Sequence, residues 1–420
     1  VSFDTLLSQT RSTTLRLLVF NPNEDAIQFE SIKLAKGESS DYDVIINGKA
    51  QDLVEGEQLL GGDSLLVLVE ATINPQNENL PYLVRDSVVF SWNGNVEHVK
   101  LLAYGQDVTR RTREVVCTEV WTRDRPYLLS DTLVVDENCT LTIESGTTIF
   151  MSNDAALFVQ GSLHMLGDSI DRITVRNQRL DGIFNEVPGQ WNGIYFLEGS
   201  SNNKIEFTDI FNGQFGLRVG TPDEDVEPDV TIRNTSIANM SVAGILAFTS
   251  DVVASNTLIY NCGTYLVGNF AGGNYEYVHC TFSNWLSDFS HDEPSVQFSD
   301  NIVINEEGDL LTDDLSISLV NSIVWGGEQE ELLINNGGDQ QISSELVSNI
   351  IRSATPLVNN FTSLEINFPG FLDVSNDEYG LDSLANAVNA GAPSTIEIDI
   401  LGQKRDVNPD IGAFERIETQ

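Results

Sequence analysis

The chain has 420 residues, and its 22 Lys+Arg against 63 Asp+Glu leave a net charge of 22 − 63 = −41. So few cations argue against nucleic acid and anionic membrane surfaces as direct partners, because both are held by clustered positive charge; divalent cations and cationic surfaces stay open. No apolar run approaches the ~18 residues needed to span a bilayer, and residues 1–10 read as mature protein without a secretory signal.

Residues 1–108 predict an antiparallel β-sandwich. The strands are TLRLLVF at 14–20, AIQFESIKL at 26–34, YDVII at 42–46, SLLVLVEATI at 64–73, DSVVFSW at 86–92 and HVKLLAY at 98–104. Turn clusters such as Asn47-Gly48 and Asn93-Gly94 separate them, at the spacing of a sandwich rather than of helical repeats. Residues 109–125, opening with three arginines in TRRTREVV, are expected to be a linker or entry into the solenoid.

From 126 onward the pattern changes. TDIFN ends at Asn212, TSIAN at Asn239, TLIYN at Asn261, CTFSN at Asn284, NIVIN at Asn305 and SIVWG at Gly326, with intervals of 27, 22, 23, 21 and 21 residues. Two before each end stands an apolar residue: Ile210, Ile237, Ile259, Phe282, Val303 and Val324. A period near 22 is too short for paired helices or a propeller blade. The internal spacing of two is that of a strand. A single unit cannot bury its apolar row, but stacked units bury a continuous one. The expected architecture is therefore a right-handed parallel β-helix over 126–384, one unit per coil. Asn212, Asn239, Asn261, Asn284 and Asn305 are expected to form a ladder, each amide bonding its own turn and the Asn one coil away.

Cys117 and Cys139 are 22 residues apart, one coil period, and are candidates for a disulfide between neighbouring coils. Cys262 and Cys280 fall out of register by five extended residues, roughly 16 Å, beyond the ~7 Å Cα limit of a bridge, and are expected to be buried thiols. The four histidines are scattered, with no zinc-type spacing. Acidic loops at 221–229, 286–294 and 303–315 are expected to project outward. In the first, Asp223, Asp225, Glu227 and Asp229 alternate, the arrangement of oxygen donors that suits calcium, although the strict calcium-loop pattern is missing. No other cofactor is implied.

Residues 126–177, with TLTIESGTTI and LFVQGSLHMLG, together with WNGIYF at 191–196, resemble the opening coils of bacterial right-handed β-helix proteins. Residues 385–420, with Asn389-Ala390-Gly391, Asp399, Gly402, Arg405 and Asp410-Ile411-Gly412-Ala413-Phe414-Glu415, resemble their terminal coil. The resemblance implies that Asp399, Arg405, Asp410 and Glu415 belong to a structural cap over the exposed last coil, with an ion pair between Asp410 and Arg405. Residues 1–108 resemble the immunoglobulin-like accessory domains of bacterial secreted proteins. The tripeptides carrying Thr5, Ser64, Ser87, Thr132, Ser169 and Ser383, each after Asp and before an aliphatic residue, resemble O-glycan acceptors of exported Bacteroidota-type proteins.

Polysaccharide lyases and hydrolases share the β-helix, yet the hydrolase motifs N-T-D, G-D-D, G-H-G and R-I-K are missing from this chain. The expectation is a non-catalytic scaffold or binding protein, exported and held at the outer membrane or cell surface as a lipoprotein or complex subunit. Its partners would be other envelope proteins or a polysaccharide. A β-helix lyase or hydrolase and an adhesin are the alternatives.

Overall fold

The computed structural model describes residues 1–220, 227–285, 287–305 and 308–417, with Ile183 described by its backbone alone. The chain divides into two units. One is Val1–Thr109 with Asp124–Pro126 and Gln178–Asn185; the other is Arg110–Arg123, Tyr127–Asn177 and Glu186–Gln420.

The first unit is built on two sheets. Ser2–Leu7, Asn95–Gln106, Tyr82–Trp92, Ser31–Leu34 and Leu53–Glu55 form one; Leu15–Phe20, Ser64–Ala71, Tyr42–Ile46 and Lys49–Ala50 form the other. Alternation in these strands sends Ile32, Leu34, Val88, Phe90 and Leu101 from the first sheet and Val44, Ile46, Val67 and Val69 from the second into one core. The two predicted hairpin turns have both central residues at positive φ, Asn47 at 48° with Gly48 at 81° and Asn93 at 48° with Gly94 at 77°. That is the backbone whose twist matches a two-residue hairpin, and Asn-Gly adopts it at least cost.

The second unit is a right-handed parallel β-helix with three faces. The first face is an 11-stranded sheet from Thr109–Arg111 to Phe361–Ser363. The second and third faces form a single 16-stranded sheet, because Ala243–Ser255 and Tyr265–Val278 run unbroken through the corner between them. Inside, Ile149, Val175, Ile210, Ile237, Ile259, Phe282, Val324 and Ile351 are successive register partners. All are buried. Each buries side-chain area worth roughly 1.5–3 kcal/mol, and the column is continuous because every coil lends its neighbour the apolar ceiling it lacks alone.

Two sequence expectations are corrected. Residues 109–125 are not a linker: Glu114–Val116 and Glu119–Trp121 pair with Thr132–Val135 and Thr140–Glu144 and so form the first coil. NIVIN is not a coil: Asn301–Val303 pairs antiparallel with Leu310–Thr312 in a side hairpin, and Phe282 stacks directly on Val324. One coil enlarged by this hairpin spans 42 residues, which reads as two periods of 21. Coils continue past 326 through Leu332–Asn335, Ile342–Val347 and Ile350–Arg352, within the expected 126–384 range.

The segment 385–417 does not close the end of the stack. It runs along the flank as a strap. Ile400 O accepts from Arg172 Nη1 (3.2 Å), Ile398 O from Asn256 Nδ2 (2.7 Å), Ala413 N donates to Thr281 Oγ1 (3.0 Å), and Ala392 N donates to Asn321 Oδ1 (2.7 Å). Together with Phe371, Tyr379 and Leu381 it covers the outward side chains of the first face, including Ala238, Leu258, Tyr260, Ile323 and Trp325, in a second apolar core. A strap answers the same physical need as a cap, since an apolar outer face is as costly in water as an open end.

Candidate functional site

The outward positions of the second face carry rings where a solvated strand face would carry polar groups. Phe158 stacks on Tyr195 with centroids 4.8 Å apart, and Tyr195 meets Phe215 edge-on. Farther along, Phe248 approaches Phe270 at 6.1 Å, and Tyr265 meets Phe270 edge-on at 5.3 Å. The Arg218 guanidinium lies over both Tyr195 (5.8 Å) and Phe248 (5.7 Å). Adjacent coils bring these positions together, Phe158 being the register partner of Tyr195, and Tyr195 of Arg218.

This stripe ends in a trough of about 390 Å³. Leu246, Phe248, Tyr265 and Phe270 line one side; Gln297, Leu333 and Asn335 continue the face; and Asn301, Ile302 and Val303 of the side hairpin form the opposite wall. Gly268 is buried beneath these side chains. A Cβ there would meet Phe270 Cε2 at 2.8 Å, and Leu246 Cδ1 and Tyr265 Cδ2 at 3.2 Å, so the three side chains that line the trough close over position 268 because it has no side chain. The hairpin exposes further apolar surface, with Val303 at 59%, Ile304 at 60%, Leu310 at 49% and Leu311 at 43%. A contiguous patch of this kind is the informative exception on a soluble face.

Among the described residues the trough is lined by no carboxylate, imidazole, amine or thiol; its polar groups are the amides of Gln297, Asn301 and Asn335 and the hydroxyls of Tyr265 and Ser299. Such a lining orients a ligand and moves no proton near neutral pH, since burial holds the Tyr265 phenol above its ordinary range. The buried carboxylates elsewhere in the wall are engaged with backbone. Asp300 accepts from the amides of Gly337 (3.0 Å), Gly338 (2.9 Å) and Gln340 (3.1 Å), Glu331 from those of Ser295 (3.2 Å) and Glu328 (2.8 Å), and Asp229 from that of Asp251 (2.8 Å). Three carboxyls are pushed above the usual range: Asp377, by burial and then by the charges of Glu186 and Asp288, and Asp410 and Glu415, chiefly by burial within the strap.

The structure places the residues singled out in the sequence as follows. Asn212, Asn239 and Asn261 form an amide ladder. Asn239 Nδ2 donates to Asn212 Oδ1 (3.2 Å) and Asn261 Nδ2 to Asn239 Oδ1 (2.8 Å), and the ladder begins one coil earlier, at Asn177. All three sit at positive φ, 66°, 57° and 51°. Asn284 steps out by one residue and brackets Cys262, accepting from its N–H and donating to its carbonyl, both at 3.0 Å. Asn305 stands outside the ladder at the hairpin tip, bonded to Asp309. Cys117 and Cys139 are joined in a disulfide with Cα atoms 4.8 Å apart, while Cys262 and Cys280 are buried and unbridged.

In the loop expected from the sequence to hold calcium, Asp223 and Asp225 lie outside the described residues. Glu227 is exposed, and Asp229 is buried with its carboxylate turned to the Asp251 amide. In the strap, Arg405 pairs with Glu415 (3.0 Å) rather than with the Asp410 carboxylate. Asp410 instead accepts from the amides of Asn389 and Arg416 (both 2.7 Å), and Asp399 from those of Leu401, Gln403 and Glu415. Each acid closes a turn, so a single pair in the expected place gives way to three carboxylates that satisfy amides the strap would otherwise bury unpaired. Of the glycan candidates, Ser64, Ser169 and Ser383 are exposed and Thr5, Ser87 and Thr132 are half-buried. The outer side of the four-stranded sheet exposes Leu18 at 67% and Phe20 at 61%.

Sequence reasoning passed over Phe158, Tyr195, Phe215, Phe248, Tyr265 and Phe270. The signal was present in Leu157-Phe158-Val159 and Ile194-Tyr195-Phe196, where rings occupy the positions between inward aliphatic ones. Trp191, by contrast, is buried, its indole N–H donating to Phe211 O at 2.8 Å. Comparison with protein families returns a match of residues 161–324 to the right handed beta helix region. No curated protein and no solved structure matches the chain.

Proposed function

We propose that this chain is a non-catalytic binding and scaffold protein that presents the trough of its second β-helix face to a partner. We further propose that it is exported and held at the outer membrane or cell surface, lipid-anchored or as a complex subunit, with O-glycans on its exposed Asp-Ser/Thr sites. The observation that carries the binding reading is the lining of the trough: rings, aliphatic side chains and amides, with no acid–base pair among the described residues. Such a concavity holds a ligand without transforming it. The apolar outer face of the four-stranded sheet, at Leu18 and Phe20, supports a docking role for the first unit.

One observation favours the enzyme alternative. The carboxyl of Asp377, at an exposed position, is raised by partial desolvation and then by the charges of Glu186 and Asp288, the direction a general acid requires. One experiment tests both readings. Full-length chain and the variants Gly268→Trp and Asp377→Asn are incubated with native envelope extracts and with a panel of soluble polysaccharides. Specific capture lost only in Gly268→Trp supports binding. Release of new reducing ends or unsaturated sugars by the wild type, lost in Asp377→Asn, overturns it.

A further inference from the structure

We infer that the occupant of the trough is a polypeptide segment of a partner protein in which one or two apolar or aromatic side chains are flanked by Lys or Arg. This inference rests on the binding reading above and names its partner class. Two independent observations carry it.

The first is charge. From residue 234 to residue 351, a stretch of 118 residues that contributes the trough and the hairpin, there is no Lys or Arg, against 16 Asp and Glu. Asp309, Asp313, Asp314 and Asp339, on the hairpin and on the loop beside it, are all exposed. The two segments are joined, since Gln340 Nε2 donates to Thr312 Oγ1 at 3.2 Å. A trough whose own segment is acidic and holds no Lys or Arg selects basic flanks through steering and through rejection of acidic partners; Arg218, from an earlier coil, is the cation already at its Phe248 wall. The second observation is a contact the chain already makes. Arg218 lies 5.7 Å from the Phe248 ring centroid, so one wall of the trough already receives a guanidinium. Phe270 and Tyr265, half-buried and facing the same trough, offer rings of the same kind to an incoming Arg or Lys.

A random-peptide display library panned on immobilised full-length chain tests the inference. Wild type is compared with Gly268→Trp, whose side chain must displace the Phe270, Leu246 and Tyr265 side chains that line the trough, and with Leu333→Lys, which places a cation on an exposed wall position and leaves the interior untouched. Circular dichroism verifies that each variant keeps its sheet. Peptides retained by wild type and lost by both variants should be rich in Lys and Arg around an apolar or aromatic residue. Their binding should weaken several-fold between roughly 0.05 and 0.5 M salt. Asp309→Asn and Asp313→Asn should each weaken it by up to about fivefold. Selection of uncharged or acidic peptides, or capture of a glycan that Gly268→Trp abolishes, overturns the partner class and leaves the binding reading standing. Failure of any peptide, glycan or second copy of the chain to distinguish wild type from both variants overturns both.

Discussion

The amide ladder separates two contributions that a single substitution would confuse. Asn239 donates one amide bond to Asn212 and accepts another from Asn261, and it holds φ at 57°. Replacing it with Ala removes both bonds, at roughly 1 kcal/mol each, and puts at φ 57° a residue without the local side-chain hydrogen bonding by which Asn tolerates the left-handed region, at roughly 1–2 kcal/mol more. Replacing it with Gly removes the same bonds without the left-handed penalty, but loosens the unfolded chain at about 0.5–1 kcal/mol. Asn239→Ala should thus destabilise the second unit by about 3–4 kcal/mol, and Asn239→Gly by about 0.5–1 kcal/mol less. Because the chain holds two units, the quantity to measure is the second unit's own transition. Buried Trp191, whose indole bonds Phe211 in the adjoining coil, provides a fluorescence report, and hydrogen exchange at residues 236–262 localises the loss. If the Gly variant is as destabilised as the Ala variant, or more so, the left-handed argument fails. If both lie within 0.5 kcal/mol of wild type, the ladder contributes nothing that folding uses.

Reduction of Cys117–Cys139, or the pair of Cys→Ser substitutions, should destabilise the first coil by about 3 kcal/mol, the value for a loop of this length; protease nicking within 117–139 checks it, and unchanged resistance refutes it. Intact-mass measurement of native protein should exceed the mass of the bare sequence through glycans on Ser64, Ser169 or Ser383; a mass equal to that of the bare sequence refutes modification. His279 is buried and neutral, with Nδ1–H donating to Asp410 O (3.2 Å) and Nε2 accepting from Asn321 Nδ2 (3.1 Å), and burial followed by the Arg405 charge lowers its pKa to about 3. A depressed value means that its contribution is whole above the unfolded value near 6.5 and is lost as pH falls towards 3, roughly 2 kcal/mol by about pH 5. His279→Asn should remove that acid loss in pH-dependent unfolding, exposing the opposite trend of Asp410 and Glu415, whose raised values favour the fold at low pH and cease to as pH rises through them. An unchanged acid limb refutes the assignment.

The architecture was legible wherever one coil held one period. Ile210, Ile237, Ile259 and Phe282 could be aligned by eye, and they are register partners. Reading failed where a side hairpin lengthened a coil to twice the period. NIVIN carries the right spacing of apolar residues, because a hairpin strand and a coil strand share the period of two; only pairing direction separates them, and that is not written in the residues of one strand. The two Asn-Gly turns of the first unit were legible for the opposite reason, since positive φ at two successive residues leaves few residue types to choose from.

The strap and the trough were hidden by a common assumption, that the outside of a solenoid is polar. On the first face the outward residues Leu258, Tyr260, Ile323 and Trp325 are apolar, and residues 368–414 fold back over them. On the second face the outward rings of Phe158, Tyr195, Phe248 and Phe270 are equally at odds with solvent, yet the stripe remains half-exposed. The two faces thus meet the same pattern with different answers. Where the chain supplies its own cover, the acids of the cover are spent on backbone amides, as at Asp399 and Asp410. On the uncovered face, Asp313 and Asp339 stay at the surface while the trough lining itself carries no charge. Burial with satisfied polar groups is how this chain builds structure. An apolar concavity in an acidic stretch of the chain is what it leaves for another molecule to complete.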